Sequence, residues 1–306
     1  MEIGPLENEP LYADTLDREF NYVTPAEVMK WAPIQPRPET WNFAPADQLV
    51  DFAVAHGMKV KGHNLVWNQD LPKWIESMTD PDELRAALID HVRTEVGHFR
   101  GRVVAWDVVN EAVGLDGTGL IPSVFARELG PDFIPLAFQT AHEADPDALL
   151  YYNDYQDEGL YKRADGVYAL VASLVAQGIP IAGVGLQGHV VIPKFPVPAD
   201  VAANMRRLAA LGLTVNFSEL DVPITYLPGA TESEKLASQL SFYHDLVATC
   251  VAEPACDAIT FWGFTDKYTY ENSISLLGPT SVPLLFDEQY RRKPTYYAVR
   301  DALLGR

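Results

Sequence analysis

The sequence predicts an α/β chain closed into a single (β/α)₈ TIM barrel, one catalytic domain over residues 1–306. Three observations carry that expectation. Short β-branched and aromatic runs recur along the chain with helical stretches between them, the pattern of a parallel sheet with crossover helices. One of these runs, Val103 to Val109, is apolar nearly throughout, as a strand buried on both faces must be. No Gly-rich phosphate loop follows any strand, which sets aside the open doubly wound sheet.

Taken in order, Ile3-Gly4 is the remnant of a first strand and Glu19 to Val23 a second. Thr24 then caps a helix whose first position is Pro25. Pro45 to His56 has helical spacing through Leu49, Phe52 and Ala53 and closes at Gly57. Lys59 to Leu65 is the third strand. Asp80 to Phe99 is a long amphipathic helix, with Leu84, Leu88, His91, Val92 and Val96 on one side. Val103 to Val109 is the fourth strand, and Asp132 to Ala144 a helix. Leu149 to Asn153 is the fifth strand, followed by a helix from Glu158 to Gln177 that closes at Gly178. Ala182 to Gln187 is the sixth strand, and Ala199 to Leu211 a helix ending at Gly212. The apolar run leading into Glu219 is the seventh strand, Glu232 to Val251 a helix, Ala258 to Trp262 the eighth strand. Lys293-Pro294 opens a last helix to Leu304.

Composition narrows the function classes. A net charge of −19 argues against nucleic acid or an anionic membrane as partner, since both need a basic patch. It fits a neutral substrate. No stretch is apolar for long enough to span a bilayer. Near Met1 there is no basic segment followed by an apolar one. The expectation is therefore the mature form of a secreted protein, with a cytoplasmic location the alternative, and a monomer. Only two cysteines occur, Cys250 and Cys256. A disulfide between them would staple a helix end to the start of a strand and indicate an oxidising compartment; two buried free thiols are the alternative.

In a barrel of this kind the C-terminal strand ends form the active-site wall. Here they present Asn21 with nearby Lys30, then His63, Asn110-Glu111, Asn153, Gln187, His189, Glu219 and Asp221, and Trp262. Amides, imidazoles and indoles are what sugar hydroxyls and flat pyranose faces require. Two carboxylates at strand ends, Glu111 and Glu219, suggest glycoside hydrolysis. Either one alone could be a loop residue or a helix cap. A metal site is the weaker reading, because no His-x-His or His-Glu-x-x-His occurs. A Ser-His-Asp triad lacks its Gly-x-Ser-x-Gly elbow. Trp31 and Trp106 are expected in the core, Asp107 and Asp154 as structural hydrogen-bond partners, and His91 and His98 as surface or packing groups.

Several stretches together resemble glycoside hydrolase family 10, mostly endo-1,4-β-xylanases. They are Phe20 to Pro25 with Met29-Lys30-Trp31, Gly62 to Trp67, Trp106 to Ala112, Tyr152 to Tyr155, Gly185 to His189, Ser218 to Asp221, Thr260 to Gly263 and Pro283 to Asp287. They fall in family order and run nearly end to end. The resemblance implies a retaining double displacement without cofactor or metal. Glu111 would be the general acid/base and Glu219 the nucleophile, about 5–5.5 Å apart. His189 and Asp221 would hold Glu219 as an anion, and Asn110 would bind the 2-hydroxyl of the cleaved sugar. Lys30, His63, Trp67 and Gln187 would line the glycone side. Trp262 would wall the cleaved sugar, and Asn153 with Tyr155 would face the aglycone. The Cys250/Cys256 pair also resembles one common in the family.

The departures from the family cluster on the glycone side. Ala26-Glu27 stand where the family usually has Glu-Asn, Asn68 and Asp70 where it has His and Gln, and Tyr270 where it often has Trp. Loss of a carboxylate at Ala26 should weaken the subsite one unit beyond the cleaved sugar. Glu27 and Asp70 could supply compensating acceptors, with Glu27 reaching Lys30 at i+3. The expected substrate is β-1,4-xylan. The alternatives are a retaining β-glycosidase for glucosides or another non-xylan β-glycoside, and a barrel that only binds carbohydrate.

Overall fold

The computed structural model describes residues 1–190, 195–226, 231–270 and 281–305. The chain divides into two compact units, Met1–Asp154 with Asp165–Gly185, and Tyr155–Ala164 with Leu186–Arg306. Neither is continuous in sequence: each contains a segment that follows part of the other.

The first unit is built on parallel strands β1 (Tyr22–Val23), β2 (Lys59–Val66), β3 (Ala105–Asn110), β4 (Leu149–Asp154) and β5 (Gly183–Leu186), neighbours in that order, β5 ending at the unit boundary. The register aligns Gly62 with Trp106, His63 with Asp107, and Asn110 with Asn153. Every residue of β3 is buried, as a parallel strand covered on both faces requires. Gly62 is needed at its place, because a Cβ there would lie 2.1 Å from the Trp106 ring. The helix Pro81–Phe99 begins at Asp80, whose side chain accepts from the Asp82 and Glu83 amides. It buries Leu84, Leu88, His91, Val92, Val96 and Phe99. Trp31 and Trp106 lie in the core. His91 is a packing group, stacked on Trp31 at 3.8 Å. His98 stacks on Phe43 and pairs with Asp47 near the surface.

The second unit carries β6 (Thr214–Leu220) and β7 (Cys256–Phe261), parallel and aligned with Phe217 beside Ile259. The helix Glu232–Ala252 joins them, opened by a capping box between Thr231 and Glu234. It buries Tyr243, Leu246 and Val247 against the unit's core, with Phe286 and Leu284 nearby in that core. Cys250 near its end is disulfide-bonded to Cys256, the first residue of β7. The helix Pro294–Leu303 follows Lys293, as expected.

Three expectations change. Ile3-Gly4 is not a strand but the start of the helix Ile3–Asn8. A two-residue apolar run has no period to hold it extended, and Pro5 is tolerated in a first helical turn. The described residues therefore hold seven strands rather than eight. Thr24 caps no helix at Pro25: the Ala26 amide goes to the Met1 carbonyl at 3.1 Å, and Thr24 Oγ1 is buried without a hydrogen bond. The helix expected from Glu158 starts at Lys162. Glu158 is instead buried, its Oε1 accepting from the Gly188 amide at 3.0 Å. Among the described residues no helix is long and apolar enough to cross a membrane.

Candidate active site

In the first unit, the ends of β2, β3 and β4 assemble one set of expected residues. Glu111 is the first residue beyond β3, and its φ is +56°. A left-handed conformation costs a non-glycine residue about 1–2 kcal/mol and must be held from outside. Three consecutive amides hold it. Glu111 N donates to the Asn153 carbonyl at 2.9 Å. Ala112 N and Val113 N both donate to the Tyr152 hydroxyl, at 3.0 and 3.1 Å. That hydroxyl donates in turn to Asp154 Oδ2 at 2.6 Å. The Trp67 indole N–H donates to Glu111 Oε2 at 2.9 Å. Asn153 Nδ2 donates to Asn110 Oδ1 at 2.8 Å, which sets the amide so that Nδ2 of Asn110 is its donor end. Both asparagines are buried.

Lys30 is buried beneath two partly exposed carboxylates. Its Nζ lies 3.0 Å from each oxygen of Glu27 and 2.9 Å from Asp70 Oδ2. Burial opposes its charge, but the Asp70 and Glu27 carboxylates more than offset this, and the ammonium pKa is raised. The same ammonium lies 4.9 Å from the centre of the Trp67 ring, a cation–π contact. The i+3 pairing of Glu27 with Lys30 is as expected, and Asp70 joins it from 40 residues away. His63 is buried, with Nδ1 3.0 Å from Asp107 Oδ2 and Nε2 3.3 Å from the Asn64 amide nitrogen. The tautomer that satisfies both donates from Nδ1 to Asp107 and accepts at Nε2. Asp107 also forms an ion pair with Lys61 at 2.6 Å, so it is the structural partner expected.

In the second unit, Glu219 lies within β6 and is buried. Its amide donates to the Gln187 carbonyl at 2.9 Å. Gly188 follows with φ +78°, a turn that favours glycine, and aims His189 back at β6. His189 Nδ1 is 2.8 Å from Asp221 Oδ2, and Nε2 is 3.2 Å from Glu219 Oε2. Burial works against its positive charge, but the Asp221 and Glu219 carboxylates reverse that and raise its pKa well above the ordinary value. Both ring nitrogens face carboxylates, so the charged form, donating to both, is the one this setting favours. The Tyr270 hydroxyl lies 3.4 Å from Nδ1. Trp262 stands edge-on to the imidazole at 6.4 Å between ring centres. Tyr155 is occupied differently, with the Arg163 guanidinium stacked on its ring at 3.7 Å.

Sequence reasoning missed Tyr152 and Glu158. Both signal themselves weakly: a tyrosine inside an apolar strand must find a partner for its hydroxyl, and a carboxylate before a helix can serve something other than a cap. The chemistry available is a carboxyl on a clamped turn in one unit, and a carboxylate bonded to an imidazolium in the other. Among the described residues no three or more His, Cys, Asp or Glu side chains gather as a metal site.

Comparison with known proteins adds to this geometry. The family model described as glycosyl hydrolase family 10 matches residues 1–302. The chain is similar to endo-1,4-beta-xylanase B of Thermotoga neapolitana, 40% identical over 293 residues, covering 95% of this chain and 83% of that one. It is similar to endo-1,4-beta-xylanase A of Humicola insolens, 38% identical over 94% of this chain and 75% of that one. Among solved structures it resembles native xylanase 10B of Thermotoga maritima, with a TM-score of 0.92 and 39% identity over 99% of this chain and 92% of that one. Xylanase 10B of Thermotoga petrophila RKU-1, solved in complex with xylobiose, gives the same score and identity over 99% and 91%. The fold class is the (β/α)₈ barrel expected from the sequence.

Proposed function

The chain belongs to glycosyl hydrolase family 10, and from that premise we propose that it is a retaining endo-1,4-β-xylanase, a single catalytic domain that cleaves β-1,4-linked xylan. The observation that carries the mechanism is His189, within hydrogen-bond distance of Glu219 at one ring nitrogen and of Asp221 at the other. A nucleophilic carboxylate must stay ionised and keep one rotamer, and a buried cation in hydrogen-bond contact favours both.

In the first step Glu219 attacks the anomeric carbon while Glu111 gives its proton to the leaving glycosidic oxygen. A glycosyl ester forms on Glu219 and its negative charge disappears. In the second step Glu111, now a carboxylate, takes a proton from water, which attacks the same carbon and frees Glu219. Asn110, set by Asn153, would donate to the 2-hydroxyl, a contact that strengthens in the transition state. This chemistry requires the two carboxyls about 5–5.5 Å apart. Lys30, His63, Trp67 and Gln187 are proposed for the glycone side, with Glu27 and Asp70 beside Lys30. Trp262 is proposed for the cleaved sugar, and Asn153 and Tyr155 for the aglycone side.

Xylan is favoured as substrate by the names of the relatives, and no observation speaks for glucosides or for a barrel that only binds. The enzyme is proposed to act as a secreted monomer; the Cys250–Cys256 disulfide supports an oxidising compartment. The test is xylohexaose followed by proton NMR. The expected result is internal cleavage with the β-anomer appearing first. First appearance of the α-anomer would remove retention, and no turnover of xylan beside turnover of mixed-linkage glucan or an aryl glucoside would remove the substrate.

A further inference from the structure

We propose that Tyr152 is a positioning residue for Glu111: its hydroxyl, held by Asp154, fixes the left-handed turn that presents the acid/base carboxyl. The inference rests on Glu111 being the acid/base and goes beyond it to the backbone that presents that carboxyl.

A phenolic hydroxyl donates once and accepts at most twice. Tyr152 uses all three. It accepts from Ala112 N and Val113 N, the two amides that follow Glu111, and donates to Asp154. Tyr152, Asp154 and the two residues bonded to the hydroxyl are all buried. The amide of Glu111 itself is spent on Asn153, the residue after Tyr152. One short stretch of β4 therefore anchors three successive amides of the turn, in which Glu111, a non-glycine residue, sits at φ +56°. Burial first, and then the Asp154 charge, push the phenol pKa well above its ordinary value, which favours the protonated form that donates to Asp154.

Amides following a left-handed residue can turn toward that residue's own carboxylate. Here both are engaged by Tyr152, and the donor that meets Glu111 Oε2 is the neutral indole of Trp67. Tyr152 thereby separates the group that holds the backbone from the group that meets the carboxyl. Loss of its hydroxyl should loosen the acid/base alone and leave the nucleophile's step intact where no proton is needed.

The experiment uses the full chain and the variant Tyr152→Phe with 2,4-dinitrophenyl β-xylobioside. Single-turnover release of dinitrophenolate reads the first step, which needs no acid with this leaving group. Steady-state turnover with and without azide reads the second step, because azide replaces water without needing a base. The expected result is a first step within about threefold of the unsubstituted protein, and a second step slowed between about tenfold and 100-fold, as a misplaced catalytic group gives. Azide should restore most of that loss. Asp154→Asn should show the same split, smaller. Equal loss in both steps with no azide effect, or no change in either, would overturn the proposal. If Tyr152→Phe does not fold, judged by its thermal melt, the split in Asp154→Asn decides alone: present supports, absent overturns. Glu111→Ala run in parallel keeps the two readings apart. Failure of that variant to show the split would count against Glu111 as acid/base and not against Tyr152.

Discussion

The turn that carries Glu111 and the strand that carries Glu219 hold the same functional group by different means. Glu111 sits just beyond its strand, its backbone pinned by Asn153 and Tyr152, and its carboxyl meets the neutral indole of Trp67. Glu219 sits inside its strand, where the register against β7 shifts between Phe217 and Leu220, and its carboxylate meets the His189 ring. One setting fixes position through the backbone and gives the carboxyl an indole donor. The other supplies a cation and takes its position from β6. A group that must give up and regain a proton each cycle cannot be locked as an anion, whereas a nucleophile must be. The contrast supports the proposed division of roles, because the two carboxyls are held by different kinds of partner.

The contrast can be broken most severely at Glu219. Glu219→Ala should lower turnover of every substrate by on the order of 10⁵-fold or more, measured on xylan and on dinitrophenyl β-xylobioside alike. Glu111→Ala should lower turnover of xylan by about 10²- to 10⁴-fold yet spare the first step on the dinitrophenyl substrate. Equal loss for both variants on both substrates would erase the distinction. A smaller effect is expected at His189. His189→Gln removes the cation from Glu219 and should lower kcat/KM about 10- to 100-fold, the range for a hydrogen bond to a charged group. The raised pKa of His189 has a sign. Its contribution is fully present below the ordinary imidazole value and is lost as pH rises through the higher value in the folded protein. Imidazole NMR shifts for this residue should therefore stay those of the protonated ring between pH 6 and pH 8. A titration near the ordinary value would contradict the reading of Glu219 as an anion with a cationic partner.

Much of this was legible in the residues. A carboxylate closing an apolar run marks Glu111 and Glu219 because the signal lies within one strand. The disulfide was legible because only two cysteines exist, six positions apart. The rest depended on partners distant in sequence. Tyr152 meets Ala112 and Val113 across 40 and 39 positions, a contact set by the register of β3 against β4. Asp70 reaches Lys30 across 40 positions, so its clasp with Glu27 was open in the sequence beyond the i+3 spacing. Thr24-Pro25 carries a sound helix-start signal, and it loses to the Met1 carbonyl, which takes the amide of Ala26. Local preference yields wherever a buried polar group finds a better partner.

The smaller tests concern groups away from the two carboxyls. The pair His91 and Glu95 is fully buried, 3.2 Å apart. Burial lowers His91 from 6.5 to about 3 and raises Glu95 well above 4.5, so both favour their neutral forms. The depressed histidine contributes stability above 6.5 that is lost as pH falls toward 3. The elevated carboxyl contributes stability below 4.5 that is lost as pH rises above it. Above 4.5 and below 6.5 the two slopes oppose one another, so the pair's pH dependence is weakest there. Thermal melts across pH should show Glu95→Gln losing the decline on the alkaline side. Persistence of that decline would assign it to other groups. Least of all should change at Asp70, which is half exposed. Asp70→Asn is expected to leave kcat within about twofold and to move KM for xylohexaose by less than about fivefold, as exposed ion pairs contribute little.

The most direct test of the account is to trap the intermediate. An activated 2-deoxy-2-fluoro β-xylobioside forms the glycosyl ester quickly and releases it slowly. Peptide mass spectrometry of the inactivated protein should place one xylobiosyl adduct on Glu219, with activity returning as the ester hydrolyses. An adduct on another residue, or turnover of the reagent with no adduct at all, would contradict the claim that Glu219 is the nucleophile of a retaining enzyme.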